Sequence, residues 1–394
     1  MKLVVIGFGQ CGGRIADEFA RLNARAHSTR GLDIITGAFA VNTDIADLSG
    51  LHAIKSNYQH RILIGSRKTG GHGVGKINEL GAEIAREDAD KVIDTIRTSK
   101  NFPETDAFLL AAGAAGGTGS GAISVLTQQI KERYVDKPVY NLIVLPFEHE
   151  EATEDRTVYN VATCLKSSYL VADAIFLVDN QRYAMKDSSI SSNLAKINAM
   201  IVQPFFNMLC AGEEKKSRYI GAKILDAGDI IQTLVGWTTL GYGRSQTSSF
   251  KSFFKIGKGG GDFRDKATET QKGVQALDEA ISGLSIKCNP LDAKRALYLV
   301  SAPAREINVD LIKELGTYIK NMAPEAIIRS GDYPREKGNM EVTVILSEMT
   351  DVEKVRNYFA KAISLMSELK KRQEGLVSTQ RGIDLTIKDI PSLL

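Results

Sequence analysis

A glycine loop, "GAAGGTGSG" at residues 113–121, constrains the fold of this chain more than any other stretch. It directly follows the apolar run "AFLLAA" and precedes the helical pattern "AISVLTQQIKERY". Residues without bulky side chains let backbone N–H groups converge on an anion at the start of a helix, where the helix dipole also favours negative charge. The loop therefore predicts an anion cradle, to which Thr118 and Ser120 add hydroxyl donors.

Two more glycine-rich loops occur in the first half of the chain. "GFGQCG" at residues 7–12 follows the apolar run "LVVI" and matches G-x-G-x-x-G, which is a weak signal by itself. "GGHGVGKI" at residues 70–77 has the spacing G-x-x-x-x-G-K, but Ile77 stands where a P-loop has a hydroxyl for Mg²⁺, so we interpret this match as chance. Its glycines still free N–H groups for a phosphate nest. Three such loops at one sheet edge predict a nucleotide with several phosphates, most simply a triphosphate.

Short apolar runs alternate with helical patterns through the first half, and this alternation predicts an α/β fold with a Rossmann-like, mostly parallel sheet. Residues 77–99 are predicted to be one helix, and residues 188–211 a long central helix that Pro204 kinks or ends. The Gly-, Ser- and Lys-rich stretch 241–263 is predicted to be an exposed loop. Later strands and helices predict a smaller C-terminal α+β domain. The predicted domains are 1–187, 188–211, 212–385 and a short tail, 386–394.

The composition excludes several classes of protein. Lys plus Arg (50) nearly balances Asp plus Glu (47), whereas a nucleic-acid-binding chain normally carries a concentrated basic excess. The four cysteines are far apart, and neither C-x-x-C nor H-E-x-x-H occurs, so we expect no protein-bound metal and free thiols in a reducing cytoplasm. The N-terminal apolar run is too short for a signal peptide, and we expect no transmembrane segment.

The loop "GFGQCG" at residues 7–12 would also suit a dinucleotide oxidoreductase. That fold expects an acidic residue at the end of the second strand, about 20 positions after the last glycine. Asp33 has about the right separation from the last glycine but precedes the second strand. Asp44 ends that strand but lies too far from the glycine. The oxidoreductase is therefore the weaker alternative. A regulatory protein that binds a nucleotide without polymerising is another.

The glycine loops taken together resemble those of one family. "AGGTGSG" at 115–121 is similar to the tubulin signature G-G-G-T-G-[ST]-G, from which only Ala115 departs. "GQCGGRI" at 9–15 resembles the first phosphate loop of tubulins, and "KTGGHGVGKINELG" at 68–81 the third loop of bacterial FtsZ. The set resembles the tubulin/FtsZ superfamily over residues 1–385, and its archaeal CetZ branch most of all. The resemblance implies a GTPase that forms head-to-tail protofilaments, in cell shape or, as the alternative, in FtsZ-like division.

The resemblance also implies which residues contact the nucleotide, GTP or GDP, with Mg²⁺ bound mainly through the phosphates. Implied readers of guanine are Asn180 and Asn198, since an Asn amide offers both a donor and an acceptor. Glu150 is implied at the ribose, and Arg156 is the arginine nearest to the one that FtsZ places four residues later, with Glu151 as an alternative because this loop is longer than in FtsZ. The implied contacts of the phosphates and their surroundings are Gln10, Cys11, Gly12, Gly13, Arg14, Asp44, Gly71, Gly73, Gly116, Gly117, Thr118, Gly119 and Ser120. Gly117 is also expected to adopt an unusual φ.

The segment "ILDAGD" at 224–229 stands where FtsZ has N-x-D-x-x-D, with Ile224 in place of Asn. In the family this loop enters the nucleotide pocket of the next subunit. The resemblance therefore implies that Asp226 and Asp229, in the loop at 222–230, polarise the attacking water. The sequence after the last helix resembles no tail motif for division partners, so self-association is the expected partnership.

Overall fold

The computed structural model describes residues 1–184, 190–245 and 261–366, and the side chains of 190–193 and 261–267 lie outside the description. The strands of these residues are β1 (Leu3–Phe8), β2 (Ile35–Asn42), β3 (Arg61–Leu63), β4 (Ala107–Gly113), β5 (Val139–Leu145), β6 (Ala174–Asp179), β7 (Gly236–Arg244), β8 (Arg295–Pro303), β9 (Ile327–Arg335) and β10 (Glu341–Met349). They form one sheet in the order β3-β2-β1-β4-β5-β6-β7-β10-β8-β9.

Helices cover both faces of this sheet. Two hydrophobic cores result, because alternate residues of each strand point to opposite faces: Val4 and Ile6 belong to one core and Leu3 and Val5 to the other. The helices are α1 (Gly9–Arg30), α2 (Ile45–Ser49), α3 (Ser66–Thr69), α4 (Asn78–Glu87), α5 (Ala89–Arg97), α6 (Thr118–Arg133), α7 (Glu148–Thr153), α8 (Asp155–Val171), α9 (Asn180–Tyr183), α10 (Ile190–Ala211), α11 (Ala227–Thr233), α12 (Gly261–Ser282), α13 (Val309–Met322) and α14 (353–366).

Strands β1 to β6 pair in parallel, as the continuous apolar runs predict. β7 continues this sheet in parallel with β6, β10 pairs antiparallel with β7, and β8 pairs antiparallel with β10. The prediction of a mostly parallel sheet with a C-terminal α+β part is confirmed. The predicted boundary at 187/188 and the tail 386–394 lie outside the described residues.

The central helix α10 continues through Pro204 to Ala211. Its 22 residues correspond to a length of about 33 Å. Within the described part of the chain, Leu194–Ala211 is long and apolar enough, by length and composition, to cross a membrane, and about half of it (56%) is buried inside the protein. Ile201 and Phe205 of this segment belong to the same hydrophobic core as the α1 residues Ile15 and Phe19.

Two local predictions differ from the structure. The helix predicted at 77–99 is broken into α4 and α5 at Asp88, whose carboxylate accepts a hydrogen bond from the Gly65 N–H at 2.7 Å. The predicted loop 241–263 begins within β7, its residues 246–260 lie outside the description, and α12 starts at Gly261. The glycines of β7 serve close packing rather than a turn, because a Cβ on Gly243 would lie 2.0 Å from the Ala276 carbonyl oxygen of α12.

Candidate functional site

A cavity of about 360 Å³ opens at the carboxyl edge of the parallel strands, where β1, β4, β5 and β6 end. This is the edge at which sheets of this kind bind ligands, and the volume is in the range of small-molecule sites. The predicted residues that line it are Gln10, Cys11, Asp44, Gly73, Gly116, Gly117, Thr118, Gly119, Glu150 and Asn180.

Two helices start at this cavity without any side-chain cap or acidic residue in their first turn. One is α1, whose N-cap residue is Phe8, and the other is α6, whose N-cap residue is Gly117. The two starts are in contact, since a Cβ on Gly9 would lie 3.0 Å from the Gly119 nitrogen. Free N–H groups and two helix dipoles thus converge on one space, which suits an anionic ligand.

Gly116 and Gly117 have different surroundings. A Cβ on Gly116 would meet no atom within 4 Å, so the space beside this residue is open. A Cβ on Gly117 would lie 2.5 Å from Val74 Cγ2 and 3.0 Å from the Ile77 nitrogen. The φ of Gly117 is −89°, so the predicted unusual φ is wrong. Glycine at 117 permits packing against the loop 74–77, and glycine at 116 leaves room for a ligand.

A buried amide of α8 ties two of the glycine loops together. The Asn160 Nδ2 donates to the carbonyl oxygens of Lys76 at 2.9 Å, Ala115 at 3.0 Å and Gly116 at 3.1 Å. The side chain is fully buried, and its Oδ1 has no hydrogen-bond partner among the described residues. Because one NH₂ group serves three carbonyls, the relative position of the two loops depends on this residue.

Lys76 is the cationic side chain among the residues that line the cavity. Its φ of 63° is a left-handed conformation that residues other than glycine rarely adopt. The ammonium group donates to Glu154 Oε2 at 2.6 Å. A signal for this residue existed in the sequence, namely the G-x-x-x-x-G-K spacing that we interpreted as chance.

Two carboxylates face the cavity from the segment after β2. The Asp44 Oδ1 caps α2 by accepting from the Asp47 N–H at 3.1 Å. The Asp47 carboxylate in turn accepts from Gln10 Nε2 at 2.8 Å and from Asn42 Nδ2 at 3.0 Å. The sequence alone does not indicate Asp47 or Asn42, because only the fold brings the segment after β2 beside the start of α1.

The wall opposite the glycine loops comes from α7 and α9. The Glu150 Oε2 accepts from the Phe147 N–H at 2.9 Å, which fixes the start of α7. Asn180 opens α9, where the Asp179 carboxylate caps the helix by accepting from the Gln181 N–H at 3.1 Å. Both lining side chains are therefore held on short, capped helical turns.

Cys11 also lines the cavity. Burial raises the pKa of its thiol to about 12, and the nearby Glu150 carboxylate acts in the same direction. The sulfur thus stays protonated near neutral pH. It can contact a ligand but is a poor nucleophile.

Several predicted contacts do not line the cavity. Gly12 packs against β4, where a Cβ would lie 2.0 Å from the Ala111 carbonyl oxygen. The Arg156 guanidinium pairs with Glu79 and lies over the Tyr159 ring, 5.1 Å from its centroid. These roles in nucleotide binding stay predictions. The other predicted residues outside the cavity lining are Gly13, Arg14, Gly71, Ser120 and Asn198.

Asp226 and Asp229 lie at the opposite edge of the sheet. Their loop packs on the end of α10, because a Cβ on Gly212 would lie 2.2 Å from the Leu225 carbonyl oxygen. The neighbouring Glu213 pairs at 2.8 Å with the N-terminal amine of Met1, which precedes β1. These carboxylates therefore lie near the amino end of β1, whereas the cavity lies at its carboxyl end, and one subunit does not bring them together.

The two aspartates differ in their partners. Asp226 is exposed and caps α11 by accepting from the Asp229 N–H at 2.8 Å. Asp229 is ion-paired with Arg329, whose Nε lies 3.2 Å from its Oδ1. Ile224, which replaces the Asn of the FtsZ pattern, is 49% exposed on the same loop. Asp226 is thus the carboxylate that is freer to meet a group from outside this chain.

Two family models match this chain along most of its length. Residues 2–186 match the GTPase domain of the Tubulin/FtsZ family, and residues 187–364 match the C-terminal domain of tubulin-like CetZ. Tubulin-like protein CetZ1 of Haloferax volcanii is 33% identical over 94% of this chain and 94% of its own length.

Two solved structures are similar over nearly the whole chain. CetZ1 from Haloferax volcanii, a GDP-bound monomer, has a TM-score of 0.78 and 30% identity, over 93% of this chain and 100% of that one. CetZ2 from the same organism, a GTPγS-bound protofilament, has a TM-score of 0.78 and 27% identity, over 94% of this chain and 100% of that one.

The fold and the glycine-lined cavity thus define a protein of the tubulin/FtsZ class. Within this class, the chain belongs to the family of tubulin-like CetZ proteins. The resemblance inferred from the glycine loops is confirmed. The oxidoreductase alternative finds no support, because Asp33 lines a different cleft and pairs with His27 at 3.0 Å.

Proposed function

We propose that this protein binds GTP in the glycine-lined cavity, hydrolyses it, and polymerises head to tail into cytoplasmic protofilaments that act in the control of cell shape. The observation that carries the proposal is the separation of two half-sites. The phosphate cradle lies at the carboxyl edge of the parallel strands, and the candidate catalytic carboxylates lie at the opposite edge. Stacked copies would bring the two half-sites together.

Binding of the phosphates would rest on backbone N–H groups. The starts of α1 and α6 offer N–H groups without caps, and the open space beside Gly116 fits a phosphate at close approach. Lys76 supplies a positive charge once it leaves Glu154. The opposite wall, with Glu150 and Asn180, is left for the ribose and the base.

Mg²⁺ would supply charge neutralisation at the phosphates. Among the described residues no group of three or more His, Cys, Asp or Glu side chains is placed to hold a metal. Two of the carboxylates that line the cavity, Asp44 and Asp47, fit a hydrated cation that the phosphate oxygens bind directly.

Hydrolysis would need a carboxylate from the next subunit. Asp226 of that subunit is exposed and lies on a loop with an apolar neighbour, Ile224, that burial in an interface would stabilise. We infer that Asp226 orients the attacking water and accepts its proton, work that is worth on the order of 10²- to 10⁴-fold in rate. Asp229, held by Arg329, would position the loop and add negative charge.

The solved structures of relatives support the assembly. CetZ2 from Haloferax volcanii is described as a protofilament with GTPγS, and CetZ1 as a monomer with GDP. A nucleotide-dependent switch between these two states would suit a dynamic filament. The four free cysteines fit a reducing cytoplasm.

A complementation experiment tests the shared site. One variant, Asp226→Asn, keeps its own nucleotide cavity and, because Asn caps helices as well as Asp, its α11 cap. A second variant, Gly116→Val, keeps its loop but loses the cavity. Each alone should be inactive, and a mixture should regain GTPase activity, because the nucleotide of the first meets the intact loop of the second. A mixture as inactive as its components would contradict the proposal.

The role in cell shape has a separate test. A fluorescent fusion of the protein should localise along the envelope of elongating cells. Deletion of the protein should alter the cell outline without blocking division. Localisation confined to a midcell ring, with a division block on deletion, would favour the alternative of an FtsZ-like division filament.

A further inference from the structure

A cleft of about 830 Å³ separates α7 and α8 from the C-terminal helix α14. Its centre is a network of charged and polar side chains that connects the two sides. Lys354 of α14 donates from Nζ to Asp179 Oδ1 at 2.8 Å and lies 3.9 Å from Glu151 Oε1. The side chains of Asp179 and Glu151 are only 10% and 12% exposed, so water screens these ion pairs weakly.

Tyr358 makes the second connection. Its hydroxyl donates to Glu151 Oε1, and the ring is almost fully buried. Burial raises the pKa of Tyr358, so the hydroxyl keeps its proton and acts as a donor. Glu151 is thus held from α14 by a hydroxyl, and also by Lys361 at 3.5 Å.

The residues that α14 holds are the immediate neighbours of two residues that line the nucleotide cavity. Asp179 precedes Asn180 and caps its helix, and Glu151 follows Glu150 in α7. The two short helices are also joined to each other, because the Glu148 N–H donates to Gln181 Oε1 at 3.3 Å. One wall of the cavity is therefore a unit anchored on α14.

We propose that Lys354 and Tyr358 are positioning residues, through which the C-terminal domain sets the wall of the cavity that reads the guanine base and the ribose. The inference rests on the proposed guanine site. Neither residue contacts the cavity itself. They act through Asp179 and Glu151, and the phosphate cradle, which Asn160 holds from α8, does not depend on them.

This separation gives a measurable signature. Loss of the anchor should displace Asn180 and so weaken discrimination between bases, while the phosphates still bind. The ratio of the Kd for ADP to the Kd for GDP should fall about tenfold in Lys354→Met, the change that one hydrogen bond to the base is worth. A general loss of stability would instead weaken the binding of both nucleotides equally and leave the ratio of their Kd values unchanged.

The experiment uses the full chain, with GDP and ADP titrated calorimetrically at protein concentrations below assembly. Tyr358→Phe, which keeps the buried ring, should lower the ratio in the same direction as Lys354→Met. Lys354→Arg, which can keep the ion pair with Asp179, should restore it. The matched control is Arg356→Met. It removes a cation of the same helix that is 62% exposed and pairs with Asp351.

The outcomes separate this inference from the proposed function. A wild-type chain that binds GDP no better than ADP overturns the guanine site, and the inference falls with it. If the wild type prefers GDP and Lys354→Met keeps the wild-type ratio, the guanine site stands and the positioning role is wrong. An equal fall in the ratio for Arg356→Met would also overturn it, because the effect would then not come from the anchor.

Discussion

Gly116→Ala should weaken nucleotide binding without a loss of stability, whereas Gly117→Ala should reduce stability. At Gly116 a new methyl group meets no protein atom within 4 Å, and its φ lies outside the left-handed range. Alanine there should leave stability unchanged or raise it by about 0.4–1 kcal/mol, because it restricts the unfolded chain. The same methyl group would occupy space that the proposed phosphates need.

The expected loss in affinity follows from the hydrogen bonds displaced. A hydrogen bond from the cradle to a charged phosphate is worth about 1.5–3 kcal/mol, so losing one should weaken GTP and GDP about 10- to 100-fold. Gly117→Ala places its methyl group 2.5 Å from Val74 Cγ2 and 3.0 Å from the backbone of Lys76. This overpacking should reduce the free energy of unfolding by about 1–3 kcal/mol.

The assay pairs thermal unfolding without nucleotide with calorimetric titration of GDP. Gly116→Ala should retain the wild-type Tm and lose affinity, whereas Gly117→Ala should lose Tm. Wild-type GDP affinity in a folded Gly116→Ala variant would refute the assignment of the cradle to this glycine.

Three further predictions concern other parts of the site. Asn160→Ala should weaken the binding of GTP more than that of GMP, because it releases the two glycine loops that Asn160 joins. Equal losses of affinity in calorimetric titrations would contradict this role of Asn160. Asn198→Ala should weaken GTP binding, and the wild type should reject ATP because unpaired polar groups penalise the wrong base; equal wild-type affinities for GTP and ATP would refute this. Asp226→Asn should bind GTP, assemble, and give filaments that sedimentation shows to be longer-lived; filaments of wild-type lifetime would count against its catalytic role.

The strands and the glycine loops could be predicted because most strands of the first half are largely apolar runs that lead into small or polar residues. The burial of β1 and β4 on both faces matches their sequences, "LVVIGF" and "AFLLAAG". The position of the cavity follows, because parallel strands bring their carboxyl ends to one edge.

What could not be predicted depends on contacts distant in sequence. The role of Asn160 arises only when α8 packs beside the loops at 76 and 116, and nothing in "VYNVA" indicates it. Arg156 pairs with Glu79 of α4, a contact that the sequence does not indicate because the two residues lie far apart along the chain. Glycines in β7 indicated a loop, and only the approach of α12 explains them.

The concentration dependence of GTP hydrolysis tests the shared active site most directly. The cavity and Asp226 lie at opposite ends of one subunit, so a monomer should hold GTP with no catalytic carboxylate near the γ-phosphate. The rate per subunit, measured by phosphate release while light scattering follows assembly, should be close to zero in dilute solution and rise steeply above a threshold concentration. A rate per subunit that is already maximal in dilute, monomeric protein would contradict the account.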